Sequence, residues 1–284
     1  MKRNILLPTD FSKNSWHAIL YAIELYKNNH CNIFVLNVFS AVSNSIDSLI
    51  NMEPGSELYE RAKSNSEDGL AKVLDMIAFR EEYNSKHTFI PISTLNYPLE
   101  AIKNVVEEKD IELIIMGTKG EIGSPKVVYG SVAMYVMEKV RNCPVIVVPE
   151  LAKHTLPKEI VFPTSYKTHF KKRELNYMVE IAKTCQAYIR VLHVLEEDKL
   201  DKKQIKNKKL LEDSLEGVEY SFHSLSKMPI PTAINCFVES RESDMVAFIN
   251  KKHAFFGSVL TKPLVKEIGF YSKVPVLVMH DLRN

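Results

Sequence analysis

Two stretches of this sequence share one pattern, and together they decide the fold. Residues 4–39 read NILLPTDFSKNSWHAILYAIELYKNNHCNIFVLNVF, and residues 159–195 read EIVFPTSYKTHFKKRELNYMVEIAKTCQAYIRVLHVL. Each begins with a short apolar run that ends in Pro-Thr, continues with apolar residues at helical spacing, and closes with a second apolar run. This order predicts a strand, a helix and a second strand, and the chain uses the unit twice.

The rest of each half continues the alternation. Nearly continuous apolar strands that alternate with helices are typical of α/β proteins whose sheets are mostly parallel and covered on both faces. We therefore predict two tandem open five-stranded mostly parallel sheets with helices on both faces. The predicted strands of the first half lie at 5–9, 33–39, 87–92, 111–116 and 144–148, with helices at 15–26, 57–83, 99–108 and 131–140. Those of the shorter second half lie near 160 and at 187–195, 218–223, 244–249 and 274–279.

The repeat also predicts the domain organisation. We expect a first domain at 1–150, a linker at 151–158 and a second, shorter domain at 159–284. The last strand of each domain, PVIVV in the first and PVLVM in the second, should lie at a sheet edge. Because an exposed apolar edge invites pairing, the two domains should pair with each other through these strands.

Composition limits the classes of partner. The net charge of +2 is too small to indicate nucleic acid or an acidic membrane surface as the main partner. No apolar run is long enough for a membrane span, and the N-terminal run is too short for a signal peptide. The four cysteines form no CxxC pair and no metal spacing, which favours reduced thiols in a cytoplasmic protein.

Glycine is concentrated in one place. The stretch MGTKGEIGSPKVVYGS, residues 116–131, holds four of the nine glycines and connects the fourth predicted strand to the next helix. Ligands of open α/β sheets bind at the carboxyl ends of the strands, and helix N-termini there favour phosphate. The stretch matches neither GxxxxGK[ST] nor GxGxxG. It is either a phosphate-binding loop or a tight surface turn.

The spacing G-x2-G-x9-G-S, together with ILLPTDFS, VLNVF and IIMGTKG at strand ends, carries a family resemblance. The chain resembles the universal stress protein family in a tandem two-domain form, with the motif of its ATP-binding branch in the first domain. The resemblance implies an adenine-nucleotide alpha-hydrolase-like fold and a cytoplasmic stress-response protein. It also implies pairing through the last strands as an internal pseudo-dimer, and it allows two chains to form a homodimer.

The resemblance further implies a site for ATP or another adenine nucleotide, with or without Mg²⁺. Asp10 accepts hydrogen bonds but repels phosphate, so it belongs on the nucleoside side or shares a Mg²⁺ ion. By itself Asp10 is equally consistent with a turn or N-cap aspartate, and Ser131 is predicted as the N-cap of the last helix. Asn37 departs from the histidine that the family often has and that the second domain keeps as His193. The implied nucleoside side is Pro8, Thr9, Asp10, Val38, Met116 and Gly117, and the implied phosphate side is Gly120, Gly130, Ser131 and Val132.

The second domain departs from this pattern. Ser165 stands where the first domain has Asp10, and Asn250 and His253 replace Gly117 and Gly120. We expect no nucleotide there, while a different ligand stays open.

Three functions fit the sequence. The chain is an ATP-binding regulatory protein, a slow ATPase, or a scaffold with both sites vestigial. No arginine and no water-activating base stands beside the glycine stretch, so at most weak hydrolysis is expected. No catalytic residue and no metal-ligand cluster is predicted.

Overall fold

The computed structural model describes residues 2–39, 53–80, 84–118, 130–195, 199–250 and 273–281. Strands and helices alternate along both halves, as the apolar pattern predicts. The strands are β1 (Arg3–Pro8), β2 (Cys31–Phe39), β3 (His87–Leu95), β4 (Leu113–Gly117), β5 (Val145–Val148), β6 (Glu159–Pro163), β7 (Tyr188–Leu195), β8 (Tyr220–Ser226), β9 (Met245–Asn250) and β10 (Val276–His280). The helices are α1 (Lys13–Tyr26), α2 (Glu57–Arg80), α3 (Pro98–Glu108), α4 (Ser131–Lys139), α5 (Lys172–Cys185), α6 (Lys202–Ser214) and α7 (Ile230–Arg241).

The two predicted sheets join into one. Ten strands follow the order β3-β2-β1-β4-β5-β10-β9-β6-β7-β8. Every neighbouring pair is parallel except β5 and β10, which run antiparallel. The predicted pairing between the last strands of the two halves is therefore confirmed, and these apolar edges are buried at the middle of the sheet.

Helices cover both faces of the sheet, and each face has its own apolar core. One core holds buried residues of α1, α2, α5 and α6, with Ile23, Val73 and Met178 as examples. The other holds buried residues of α3, α4 and α7, such as Ile102 and Val136. We call these the α1 face and the α4 face. Among the described residues, no helix has the length and apolar character required to cross a bilayer.

Ion pairs reinforce the junction between the halves. Arg3 of β1 binds Glu180 of α5, and Arg141, which follows α4, binds Asp281 after β10. Arg141 also donates to the carbonyl oxygen of Asn250 over 2.8 Å. The two halves are thus connected by charged side chains as well as by the backbone of β5 and β10.

Several element bounds differ from the sequence prediction, with β3 and β8 each ending three residues later than expected. β3 continues to Leu95, beyond the apolar run at 87–92, because an outermost strand with one paired edge accommodates polar residues such as Ser93. The second half is shorter mainly between its second and third strands, where 24 residues separate β7 from β8 whereas 47 separate β2 from β3; α6 has 13 residues and α2 has 24. The predicted helix at 57–83 is described from Glu57 to Arg80, and residues 81–83 lie outside the described part of the chain.

The burial of His280 predicts that the stability of the junction depends on pH. It ends β10 opposite Asn250 of β9 and is buried. Burial, and next the Arg141 guanidinium, lower the pKa of His280 to about 4 from 6.5, although Asp281 and a backbone hydrogen bond with Asn250 act in the opposite direction. The unfolded chain therefore binds this proton more readily than the folded chain, so stability is complete above about pH 6.5 and falls towards pH 4.

We expect the free energy of unfolding to fall by about 1 kcal/mol between about pH 7 and about pH 5.5 through this group. Urea unfolding at the two pH values measures it. A His280→Leu variant has no proton to gain and should lose this part of the pH dependence. Equal pH dependence in the two proteins would contradict the assignment.

Candidate functional site

The candidate site lies at the carboxyl ends of β1, β2 and β4, where the strand order changes direction. From β1 the chain crosses to β2 on one side, while β4 pairs with β1 on the other side. Connections that diverge from neighbouring strands leave a crevice outside their carboxyl ends, which is the usual ligand position in open α/β sheets. The fold therefore brings the first Pro-Thr-Asp turn and the start of the glycine stretch to one edge.

The apolar side chains of the predicted nucleoside side share one face of the sheet. Met116 is buried in the core of the α4 face, and Val38 packs against the same core. Pro8 pairs in register with Leu36, which also belongs to this core, so Pro8 lies on the same face. Pro8, Val38 and Met116 thus lie on the side of the sheet that carries α4.

The turn after β1 is fixed by hydrogen bonds. Thr9 is buried; its N–H donates to the Leu36 carbonyl oxygen over 2.8 Å, and its hydroxyl oxygen accepts the N–H of Phe11 over 3.1 Å. Asp10 is exposed, and its Oδ1 accepts the N–H of Ser12 over 3.2 Å. The N-cap of α1 is Ser12, so Asp10 is a turn residue with an exposed carboxylate rather than the helix cap.

A polar network beneath this turn was not predicted from the sequence. The Asn37 amide donates to the Thr9 carbonyl oxygen over 2.8 Å, and its Oδ1 accepts the Ser66 hydroxyl over 2.7 Å. Ser66 also hydrogen-bonds Ser93 over 2.7 Å. The sequence signal for it is weak, namely isolated polar residues such as Ser66 on the buried side of α2.

The hydrogen bond from Asn37 to the Thr9 carbonyl oxygen explains why asparagine can replace histidine in the first half. In the second half, Nδ1 of His193 lies 2.8 Å from the Thr164 carbonyl oxygen. A carbonyl oxygen only accepts, so Nδ1 of His193 carries the proton. Both side chains place an N–H on the carbonyl of the threonine that follows the first strand. The exchange therefore keeps the turn in place.

The end of β4 approaches α1 closely. A Cβ atom built on Gly117 would lie 3.0 Å from the Asn14 carbonyl oxygen, which is closer than side chains normally come to backbone. The Asn14 amide donates to the hydroxyl oxygen of Thr118, which is buried, over 2.9 Å. The close approach of Asn14 explains why position 117 is glycine. Asn14 and Thr118 are further residues of the site that were not among its predicted residues.

The glycine stretch is closed at its base. The Gly130 N–H donates to the Thr118 carbonyl oxygen over 2.6 Å, which brings the two flanks of residues 119–129 together. Those residues lie outside the described part of the chain, and the predicted Gly120 is among them. The described part of the site is therefore its nucleoside side and the start of α4.

The start of α4 corrects one prediction. The helix begins at Ser131, and its N-cap is Gly130 rather than Ser131. Gly130 has the extended backbone of an N-cap, with φ −69° and ψ 162°, and has no side chain to bind the first-turn N–H groups. A helix N-terminus without such a cap presents its N–H groups and the positive end of the helix dipole to an anion. Ser131 and Val132 are exposed in this first turn.

The second half differs at the corresponding positions, and strand register corrects the sequence alignment. Ile114 and Val246 each pair with the first residue of the neighbouring closing strand, so Ile249 corresponds to Gly117 and Asn250 to Thr118. A branched side chain thus stands where the first half needs glycine. His253 and the segment around it lie outside the described residues.

A cavity beside the second-half turn is small. It has a volume of about 90 Å³, well below the roughly 300 Å³ at which small-molecule pockets begin. Its lining includes Ser165, His193, Val194 and Gln204. That the second half binds no nucleotide stays a prediction. Among the described residues, no group of three or more potential metal ligands is present.

Comparisons with known proteins agree with the fold and identify the family. Residues 1–149 match the model of the universal stress protein family. Universal stress protein MJ0531 of Methanocaldococcus jannaschii is 32% identical over 153 residues, which is 53% of this chain and 84% of that protein. Universal stress protein MJ0577 of the same organism is 27% identical over 165 residues, which is 52% of this chain and 95% of that protein.

A solved structure extends the likeness of fold to both halves. The crystal structure of a universal stress protein from Archaeoglobus fulgidus covers 97% of this chain and 97% of its own, with a TM-score of 0.66 at 22% identity. The family model and the relatives match about half of the chain, whereas this likeness of fold spans nearly all of it. The chain belongs to the universal stress protein family.

Proposed function

We propose that the first half binds one adenine nucleotide, with ATP as the favoured ligand, and that the protein acts as a cytoplasmic stress-response regulator. The observation that carries the proposal is the hydrogen bond from Gly130 to Thr118. It joins the uncapped start of α4 to the end of β4, beside the strand end that carries the Thr9–Asp10 turn. An anion-attracting helix start and an apolar wall on the same face suit the two ends of a nucleotide.

The charges set the orientation of the ligand. The exposed Asp10 carboxylate would repel phosphate but accepts hydrogen bonds from ribose hydroxyls or the adenine amino group. The nucleoside therefore lies towards Asp10 and Val38, and the phosphates lie towards Gly130 and Ser131. Gly120 and Val132 complete the proposed phosphate side, and Mg²⁺ would accompany the phosphates.

Nucleotide binding would regulate the protein through its surface. The ligand favours whichever arrangement of residues 117–130 makes more contacts with it, and so changes what this stretch offers to a partner. Binding energy of this kind shifts a population and requires no chemical step. We therefore propose regulation by occupancy, with hydrolysis slow or absent.

Calorimetry tests the proposal. Titration with ATP, ADP, AMP and adenosine, each with and without Mg²⁺, should give one site per chain, with ATP tighter than adenosine because the phosphates reach α4. Adenosine that binds as tightly as ATP would contradict the phosphate position, and two sites per chain would contradict the degenerate second half. If none of the four ligands binds, the remaining function is that of a scaffold with vestigial sites. Phosphate release over hours, and mass spectrometry of nucleotide carried by the purified protein, complete the test.

A further inference from the structure

The turn after the first strand has the same unusual backbone in both halves. Phe11 has φ 64° and Tyr166 has φ 56°, so an aromatic residue occupies the left-handed region at equivalent positions. The threonine hydroxyl oxygen two residues earlier accepts the N–H of each. A bulky residue persists in this region only where its surroundings hold it. Something outside the turn therefore holds it in both halves.

In the second half, α6 holds this turn. The Gln204 amide donates to the Ser165 carbonyl oxygen over 2.9 Å, and the Asn207 amide donates to the Tyr166 carbonyl oxygen over 2.7 Å. Gln204 and Asn207 are three residues apart and so lie on one side of the helix. This helix follows the second strand of its half and packs on the α1 face.

In the first half, α2 occupies the same place and uses two residues at the same spacing. Ser66 reaches the Thr9 carbonyl through the Asn37 amide, as described above. Gly69 lies beneath the Phe11 ring, since a Cβ atom on Gly69 would be only 2.4 Å from ring carbon Cζ. Phe11 thus rests on a part of α2 that only glycine leaves open.

We propose that Ser66 and Gly69 are positioning residues of the adenine-nucleotide site, and this inference rests on the proposed function. Both lie on α2, which packs on the α1 face, whereas Val38 and Met116 lie on the α4 face. Ser66 and Gly69 therefore act through the Thr9–Phe11 turn rather than on the ligand. They hold the Thr9–Phe11 turn in place. Asp10, the middle residue of that turn, then presents its carboxylate to the nucleoside.

Glycine at position 69 lowers the intrinsic stability of α2, and this makes the inference testable. It lies inside a helix of 24 residues, where alanine is the better helix former. Replacing it by alanine should preserve or raise the intrinsic stability of α2 while displacing the Phe11 ring. Because a preorganised site loses affinity when its groups move, Gly69→Ala should weaken ATP binding by about tenfold without lowering the melting temperature. Ser64→Ala, at an exposed position of the same helix, is the matched control and should change neither.

A double-mutant cycle tests the route through Phe11. Phe11→Gly removes the ring and suits the positive φ, so Gly69→Ala should have no further effect on ATP affinity in that background. Unchanged ATP affinity in Gly69→Ala, an equal loss in both backgrounds, or a clearly lowered melting temperature would each overturn the inference.

A ligand-free readout separates this inference from the proposed function. In amide NMR spectra without nucleotide, Gly69→Ala should shift the signals of Asp10 and Ser12, and Ser64→Ala should not. If the wild-type chain binds no adenine nucleotide while these signals shift, the proposed function fails and the contact stands. If ATP binds and the signals of Gly69→Ala stay in place, the inference fails and the proposed function stands.

Discussion

Gly130→Asp is expected to abolish ATP binding while the protein stays folded. Gly130 is the N-cap of α4 with φ −69°, a conformation that any residue adopts, and aspartate is among the preferred N-cap residues. The variant helix should therefore be as stable as the natural one, or a few tenths of a kcal/mol more stable. The new carboxylate would stand where we place the phosphates. Like charges about 4 Å apart near a protein surface repel by about 4 kcal/mol, so ATP affinity should fall by about a thousandfold.

Gly130→Asn is the matched control, because asparagine has nearly the same size and caps a helix equally well without the charge. Calorimetry with ATP and thermal unfolding should be measured on both variants. If charge decides the effect, the asparagine variant keeps much more affinity than the aspartate variant. Equal losses would assign the effect to size. Unchanged affinity in Gly130→Asp would place the phosphates elsewhere.

The sequence was informative wherever a local pattern determines the structure. Strands and helices follow from apolar periodicity, and the junction of β5 with β10 follows from apolar runs that need a partner. Element ends were less accurate. The start of α4 at Ser131 was predicted correctly, but its N-cap was placed one residue late, because serine is the commoner cap by composition whereas the cap position depends on backbone angles. The equivalence of Ile249 with Gly117 required strand register.

The support of the candidate site could not be predicted, because it depends on contacts between distant elements. Ser66, Asn37 and Ser93 come from three elements and meet only when α2 packs on β2 and β3. Gly69 appears in the sequence as an unfavourable residue inside a helix, and its purpose becomes apparent only with the Phe11 ring above it. A motif names the residues expected to contact a ligand. The residues that hold them in place are set by tertiary packing.

Leu277→Ala is expected to destabilise the whole chain, because it removes side-chain volume from the junction of the two halves. Leu277 is fully buried in β10, opposite Ile146 of β5 on one side and Ala247 of β9 on the other. Truncation of a buried leucine to alanine costs about 2–5 kcal/mol, through lost burial and the cavity left behind. The upper part of this range applies where neighbours cannot close in, and paired strands on both sides of Leu277 oppose such a movement.

Urea unfolding followed by circular dichroism measures this loss, and Leu151→Ala is the matched control. Leu151 is 83% exposed, so its truncation should change the free energy of unfolding by less than about 0.5 kcal/mol. Since one continuous sheet joins the halves, the variant should unfold in a single transition at lower urea. Two transitions, of which only one moves, would mean that the halves unfold independently and that β5 and β10 add little to their stability. If the pairing of β5 with β10 stabilises both halves, Leu277→Ala in the second half should also lower the stability of the first half.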